Sequence, residues 1–114
     1  MSTDIQTNPL TAGLIQKISK TIVEDLNPQQ ILIFGSRATG SSTPNSDLDL
    51  FIVNDTKHSN RTVRRRIDNL LADRVYAVDI LVRTPQEIKQ NLSENNPFYH
   101  NLFQSAIMLY DKGK

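Results

Sequence analysis

Cysteine is absent from all 114 residues, which excludes disulfides, thiolate metal sites and a thiol nucleophile. Any metal chemistry must therefore use carboxylates or the two histidines. An excess of charge is missing as well: 13 Lys+Arg against 12 Asp+Glu leave a net charge of +1, without the global basic field of a protein that grips nucleic acid by its phosphates. Direct nucleic-acid binding is not expected, although a local basic patch is compatible with that balance. No apolar run approaches membrane-spanning length, and the opening MSTDIQTNPL lacks the charged and apolar regions of a signal peptide. These absences read as a cytoplasmic protein in a reducing compartment, with no membrane partner. At this length one small domain is expected over residues 1–114, with a leader over 1–8 and a tail over 111–114. There is no room for a second domain that would enclose a bulky substrate, so the acceptor of any reaction is expected on a partner.

What is present alternates between two periods. Asn8-Pro9 has the form of an N-cap followed by proline at the first helical position. Leu10, Leu14, Ile15, Ile18, Ile22 and Leu26 then recur at helical spacing until Asn27-Pro28. Ile31-Leu32-Ile33-Phe34 is a run of large apolar residues ending in Gly35, as a strand buried on both faces and central in a sheet would be. A Gly, Ser, Thr, Asn and Pro loop follows, and Leu48, Leu50 and Phe51 to Val53 resume a strand pattern interrupted by Asp47 and Asp49. Arg61 to Arg74 predicts a second amphipathic helix with Val63, Ile67, Leu70 and Leu71 inward, and Val75 to Val82 a third strand containing Asp79. Thr84-Pro85-Gln86-Glu87 is a capping box, Asn96-Pro97 starts a further helix, and Ala106 to Tyr110 suits a closing strand. The order predicts an α/β (α+β) fold: a small mixed β-sheet backed by helices.

The chemistry gathers in Gly35-Ser36, ten intervening residues, and Asp47-Leu48-Asp49. Gly35 lets the chain turn sharply after the strand and lets a phosphate approach the backbone, and Ser36 adds a hydroxyl and an N–H at a helix start. Asp47 and Asp49, two apart on an extended strand, project from one face at roughly 7 Å between alpha carbons. Mg²⁺ prefers one or two carboxylates completed by substrate phosphates and water, so this pair beside an anion loop suits Mg²⁺ with a nucleoside triphosphate. Asp79, in an otherwise apolar strand, would be desolvated unless a metal or a donor satisfied it, and a neighbouring strand could bring it to the same ions. Three carboxylates of this kind point to in-line nucleotidyl transfer. Against that stands the plainer reading of Asp79 as an edge-strand or salt-bridged aspartate.

IFGSRATGSSTPNSDLDLFIV resembles the Gly-Ser, spacer, Asp-X-Asp signature of the polymerase-beta-type nucleotidyltransferase superfamily, and the chain length resembles its minimal nucleotidyltransferase branch. The resemblance implies that Gly35 and Ser36 bind the triphosphate, with Arg37 and Ser46 also assigned to the nucleotide. It implies that Asp47 and Asp49 ligate two Mg²⁺ ions and that Asp79 ligates the catalytic one and helps activate the acceptor. It further implies an antitoxin that transfers AMP from ATP to a tyrosine of a co-encoded HEPN-domain RNase toxin. The alternatives are a non-catalytic antitoxin that acts by binding, and a transferase for a small molecule such as an aminoglycoside. One departure is Thr39, where many relatives carry a basic residue.

Other residues carry weaker signals. Arg61, Arg64, Arg65 and Arg66 form a basic run that reads as a solvated helix face or as a contact for an acidic partner or RNA. His58 and His100 lack partners at metal-ligand spacing and read as surface residues. Tyr76, Tyr99 and Tyr110 read as packing residues with surface hydroxyls, with self-modification as the alternative.

Overall fold

A computed structural model describes residues 10–43 and 46–114. The elements in chain order are α1 (Ala12–Leu26), β1 (Gln30–Phe34), α2 (Ser36–Thr39), β2 (Leu48–Val53), α3 (Asn60–Leu70), β3 (Val78–Arg83), α4 (Pro85–Ser93), α5 (Pro97–Ser105) and β4 (Ile107–Asp111). Asn8 and Pro9 lie outside the described residues. Helix α1 is capped by Thr11, whose hydroxyl accepts from the Leu14 N–H at 3.1 Å, and it ends at Asn27 in the left-handed conformation.

The strands form a mixed sheet in the order β3-β2-β1-β4. Strand β1 runs antiparallel to β2 and β4, while β2 and β3 are parallel and joined through α3. The apolar run of β1 is explained by this interior position. Ile31 and Ile33 enter one core with α1 and α3, and Leu32 enters a second core with Tyr99 and Leu102 of α5. Helices therefore cover both faces, and the alternation divides each strand between them. On β2, Leu48, Leu50 and Ile52 join the α1/α3 core, whereas Phe51 and Val53 face the other side. The few aromatics concentrate on that second face, where Phe51 meets Phe34, Tyr99 and Phe103 edge-on at centroid distances of 6.4, 6.3 and 5.4 Å.

Three elements are shorter than their sequence patterns predict: α1 begins at Ala12, so Leu10 and Thr11 lie outside it, and α3 and β3 are each cut back. Helix α3 ends at Leu70, and a turn follows before β3 begins at Val78. Leu71 is buried, but from this turn, so it keeps the helical apolar pattern without being in the helix; Leu70 and Val75 are 37% and 65% exposed. No helix among the described residues is long and apolar enough to cross a membrane.

Buried Asn54 organises the connection from β2 to α3. Its Nδ2 donates to the His58 carbonyl and Asn60 Oδ1, and its Oδ1 accepts from the Thr56 N–H and hydroxyl. Asn60 in turn donates to Glu87 Oε1 at 2.7 Å, and the Thr84 N–H donates to the same oxygen at 2.8 Å, completing the expected capping box. The Thr84 N–H, followed by the Asn60 amide, holds the Glu87 carboxyl below its ordinary pKa. A depressed folded-state pKa contributes stability above the unfolded value that is lost as pH falls through the folded one. Glu87→Gln is expected to lower Tm by a few degrees at neutral pH, with the deficit closing as pH falls through the depressed folded-state pKa and the wild-type side chain protonates. A thermal-melt series against pH checks this.

Candidate active site

The last residue of β1, Phe34, stands opposite Asp49 in the antiparallel register, and Asp49 stands opposite Asp79 in the parallel one. Strand pairing thus places Gly35, Asp49 and Asp79 at one end of three adjacent strands. Gly35 has φ 75° and ψ −153°, a backbone region that side-chain-bearing residues avoid. A Cβ there would lie 2.2 Å from Asp49 Oδ2 and 3.2 Å from its Cγ. Only hydrogens fit, and the absence of a side chain at Gly35 is what lets the Asp49 carboxylate lie against the turn.

Asp49 is partly buried, and its pKa is raised. Burial is the largest cause; the charges of Asp79 and Asp47 follow, and a hydrogen bond with the Asp79 carboxyl group acts in the same direction. The sequence offered Asp79 either as a desolvated carboxylate or as an edge-strand aspartate, and the first reading does not hold. Asp79 is exposed, because β3 is the edge strand, and Asp49 bears the burial because β2 is interior. Asp47 precedes β2 and is also exposed.

Arg37, from α2, directs Nε and Nη2 to the Ser46 carbonyl at 3.1 and 2.8 Å. The guanidinium clamps the loop one residue before Asp47. Ser46 secures the same approach: its hydroxyl accepts from the Thr43 N–H at 2.8 Å, and its own N–H donates to the Thr43 carbonyl at 3.0 Å. Both residues thus position the acidic segment. Arg37→Ala is expected to destabilise the protein by about 1–2 kcal/mol in the absence of nucleotide, measured by denaturant unfolding. Thr39 turns its hydroxyl to the Ser36 carbonyl and Ser41. A cavity of about 230 Å³ opens beside Gly35, lined by Phe34, Thr39, Phe98, Asn101, Leu102 and Ser105. Its α5 side, remote in sequence from the Gly-Ser turn, gave no signal in the motif.

The remaining candidates lie elsewhere. His58 contacts Arg66 Nη1 in the loop beyond the far end of β2, and His100 contacts the Leu92 carbonyl. Tyr99 is buried, with its hydroxyl accepting from Arg83 Nε, and Tyr110 donates to Asn27 Oδ1.

Among the described residues, no group of three or more His, Cys, Asp or Glu side chains is arranged to hold a metal ion by itself. The donor set nevertheless suits a hard cation that the substrate helps to ligate. Asp49 stands opposite Asp79 in the parallel register, and after burial the charges of Asp79 and Asp47 raise its pKa, a repulsion that a divalent ion would relieve.

Residues 16–114 match the family model described as polymerase beta, nucleotidyltransferase. The chain belongs to this nucleotidyltransferase family. The matched range includes the Gly35-Ser36 turn, Asp47, Asp49 and Asp79. Among solved structures, the nucleotidyltransferase chain is similar to a protein from Sulfolobus solfataricus named as a candidate nucleotidyltransferase. That likeness has a TM-score of 0.57 at 22% identity and covers 96% of this chain and 88% of the other. It is also similar to a chain of a toxin-antitoxin structure with AMP-PNP, with a TM-score of 0.53 at 17% identity, covering 85% of this chain and 73% of the other. At these identities the two likenesses establish the fold. A search of curated proteins finds no match to the sequence.

Proposed function

We propose that this nucleotidyltransferase is an antitoxin that transfers AMP from ATP to a tyrosine of a co-encoded HEPN-domain toxin and thereby neutralises it. The observation that carries the reading is the Asp49 carboxylate lodged against Gly35 and paired with Asp79 across parallel strands. Family membership supports the reaction class, and likeness to a toxin-antitoxin structure with AMP-PNP supports the biological setting.

Gly35 and Ser36 hold the triphosphate by close backbone approach, and Asp47, Asp49 and Asp79 are the residues that would hold Mg²⁺. When bound, the ions supply charge neutralisation for the triphosphate and a lowered pKa for the attacking hydroxyl. Asp79, exposed on the outer strand, accepts the tyrosine hydroxyl proton. The phenolic oxygen forms a bond to the α-phosphorus as the bond to the bridging oxygen breaks, leaving AMP on the acceptor and releasing pyrophosphate. Arg37 and Ser46 keep the Asp47 segment in register with the turn.

The test is transfer from ATP labelled at the α-phosphate to the purified toxin in the presence of Mg²⁺, with γ-labelled ATP as control. Label from the α-position alone is expected; label from the γ-position would instead mark a kinase, and no label would remove the transferase reading.

A further inference from the structure

Among the described residues β3 pairs only with β2 and ends the sheet, so its outer edge carries backbone groups turned away from the sheet. A groove of about 230 Å³ runs along this edge, between Ile80, Leu81, Val82 and Arg83 of β3 and Asn60, Arg61 and Arg64 of α3. The two α3 arginines are exposed and, among the described residues, have no ion-pair partner, unlike Arg66, which pairs with Asp25 at 2.9 Å, and Arg74, which pairs with Asp68 at 3.6 Å. In a chain of net charge +1 this is a local concentration of unneutralised positive charge beside an open strand. Asp79 lies on the same strand, one residue before Ile80.

We infer that the β3 edge is the docking site for an extended acidic segment of the protein acceptor, which adds as a strand beside β3 with its carboxylates facing Arg61 and Arg64. This rests on the transferase reading above and names how its acceptor is held. The geometry specifies a pattern. Val63 and Ile67 of α3 pack with Ile80 and Val82, so the arginines lie on the face opposite Asp79, which alternates with those residues along β3. Successive side chains of an added strand point to opposite faces. An acceptor hydroxyl directed at Asp79 is therefore separated from the carboxylates that meet Arg61 and Arg64 by an odd number of positions. Backbone pairing supplies affinity without sequence demand, and the charge pattern selects the segment.

The experiment uses a fluorescein-labelled peptide of alternating Glu and Tyr, with an alternating Lys and Tyr peptide and an oligouridylate of matched negative charge as comparators. Fluorescence anisotropy is read together with amide hydrogen exchange of residues 80–82. The Glu-Tyr peptide is expected to bind, to slow exchange in β3, and to lose about tenfold or more in affinity with Arg61→Glu/Arg64→Glu. Arg65→Glu, outside the groove lining, is expected to have a much smaller effect. Absence of binding, binding indifferent to the double charge reversal, unslowed β3 exchange, or tighter binding of the oligouridylate would each overturn the inference. Binding of a fluorescent ATP analogue with Mg²⁺, measured on the same samples, is expected to be unaffected by the reversal. Loss of nucleotide binding in the wild type with retained peptide binding would defeat the transferase reading alone; retained nucleotide binding with no peptide binding would defeat the docking site alone.

Discussion

Combining Asp47→Asn with Asp49→Asn is expected to lower AMP transfer by about 10³-fold or more while leaving the fold intact. Asparagine preserves shape and removes the anionic oxygens through which the pair would hold Mg²⁺ and the triphosphate. Stability is expected to move the other way, because ionised Asp49 is opposed by burial and by two neighbouring carboxylates. Its raised folded-state pKa means that protonation favours the native state, an advantage present at low pH and lost as pH rises through that value. At neutral pH the double variant should melt at or above the wild-type temperature. Loss of transfer together with a fall in Tm would show that the substitutions act through folding and not through the chemistry. Toxin neutralisation is expected to disappear with transfer; its persistence would favour an antitoxin that acts by occlusion.

Gly35→Ala is the second large effect. The backbone conformation alone costs about 1–3 kcal/mol for a residue with a side chain. The new Cβ, 2.2 Å from Asp49 Oδ2, must also displace the carboxylate. A shift near 1 Å at such a position costs on the order of 10²-fold in rate, so transfer should fall by at least about that factor. The steric part is separable from the backbone part. In an Asp49→Ala background the clash is gone, and Gly35→Ala is expected to cost about 1 kcal/mol less than in the wild type. Additive stabilities in that cycle, measured by denaturant unfolding, would contradict the contact.

The fold was legible where a single segment decides its own structure. The apolar run of β1, the capping box at Thr84 and the Asn96-Pro97 start each specify an element by local physics, and each is found. Boundaries failed where burial outlasts regular structure: Leu71 extends the α3 pattern into the turn that follows. The motif residues were legible because turn, strand and carboxylates lie within twenty residues of sequence. Their division of labour was not. Whether Asp49 or Asp79 is desolvated depends on which strand lies at the edge, and that is decided by pairing between β2 and β3 across α3. The contact of Gly35 with Asp49 depends on the antiparallel register of β1 and β2. Arg37 offered a phosphate ligand in sequence, and its clamp on the Ser46 carbonyl emerges only when the loop is closed.

The central claim, that these carboxylates serve AMP transfer to a protein partner, is tested most directly by the intact mass of the co-encoded toxin after incubation with this protein, ATP and Mg²⁺. The expected result is a gain of whole adenylyl units on the toxin, absent when the Asp47→Asn/Asp49→Asn variant is used. An unchanged toxin mass in a stable complex that still neutralises would contradict the claim and leave binding as the means of neutralisation.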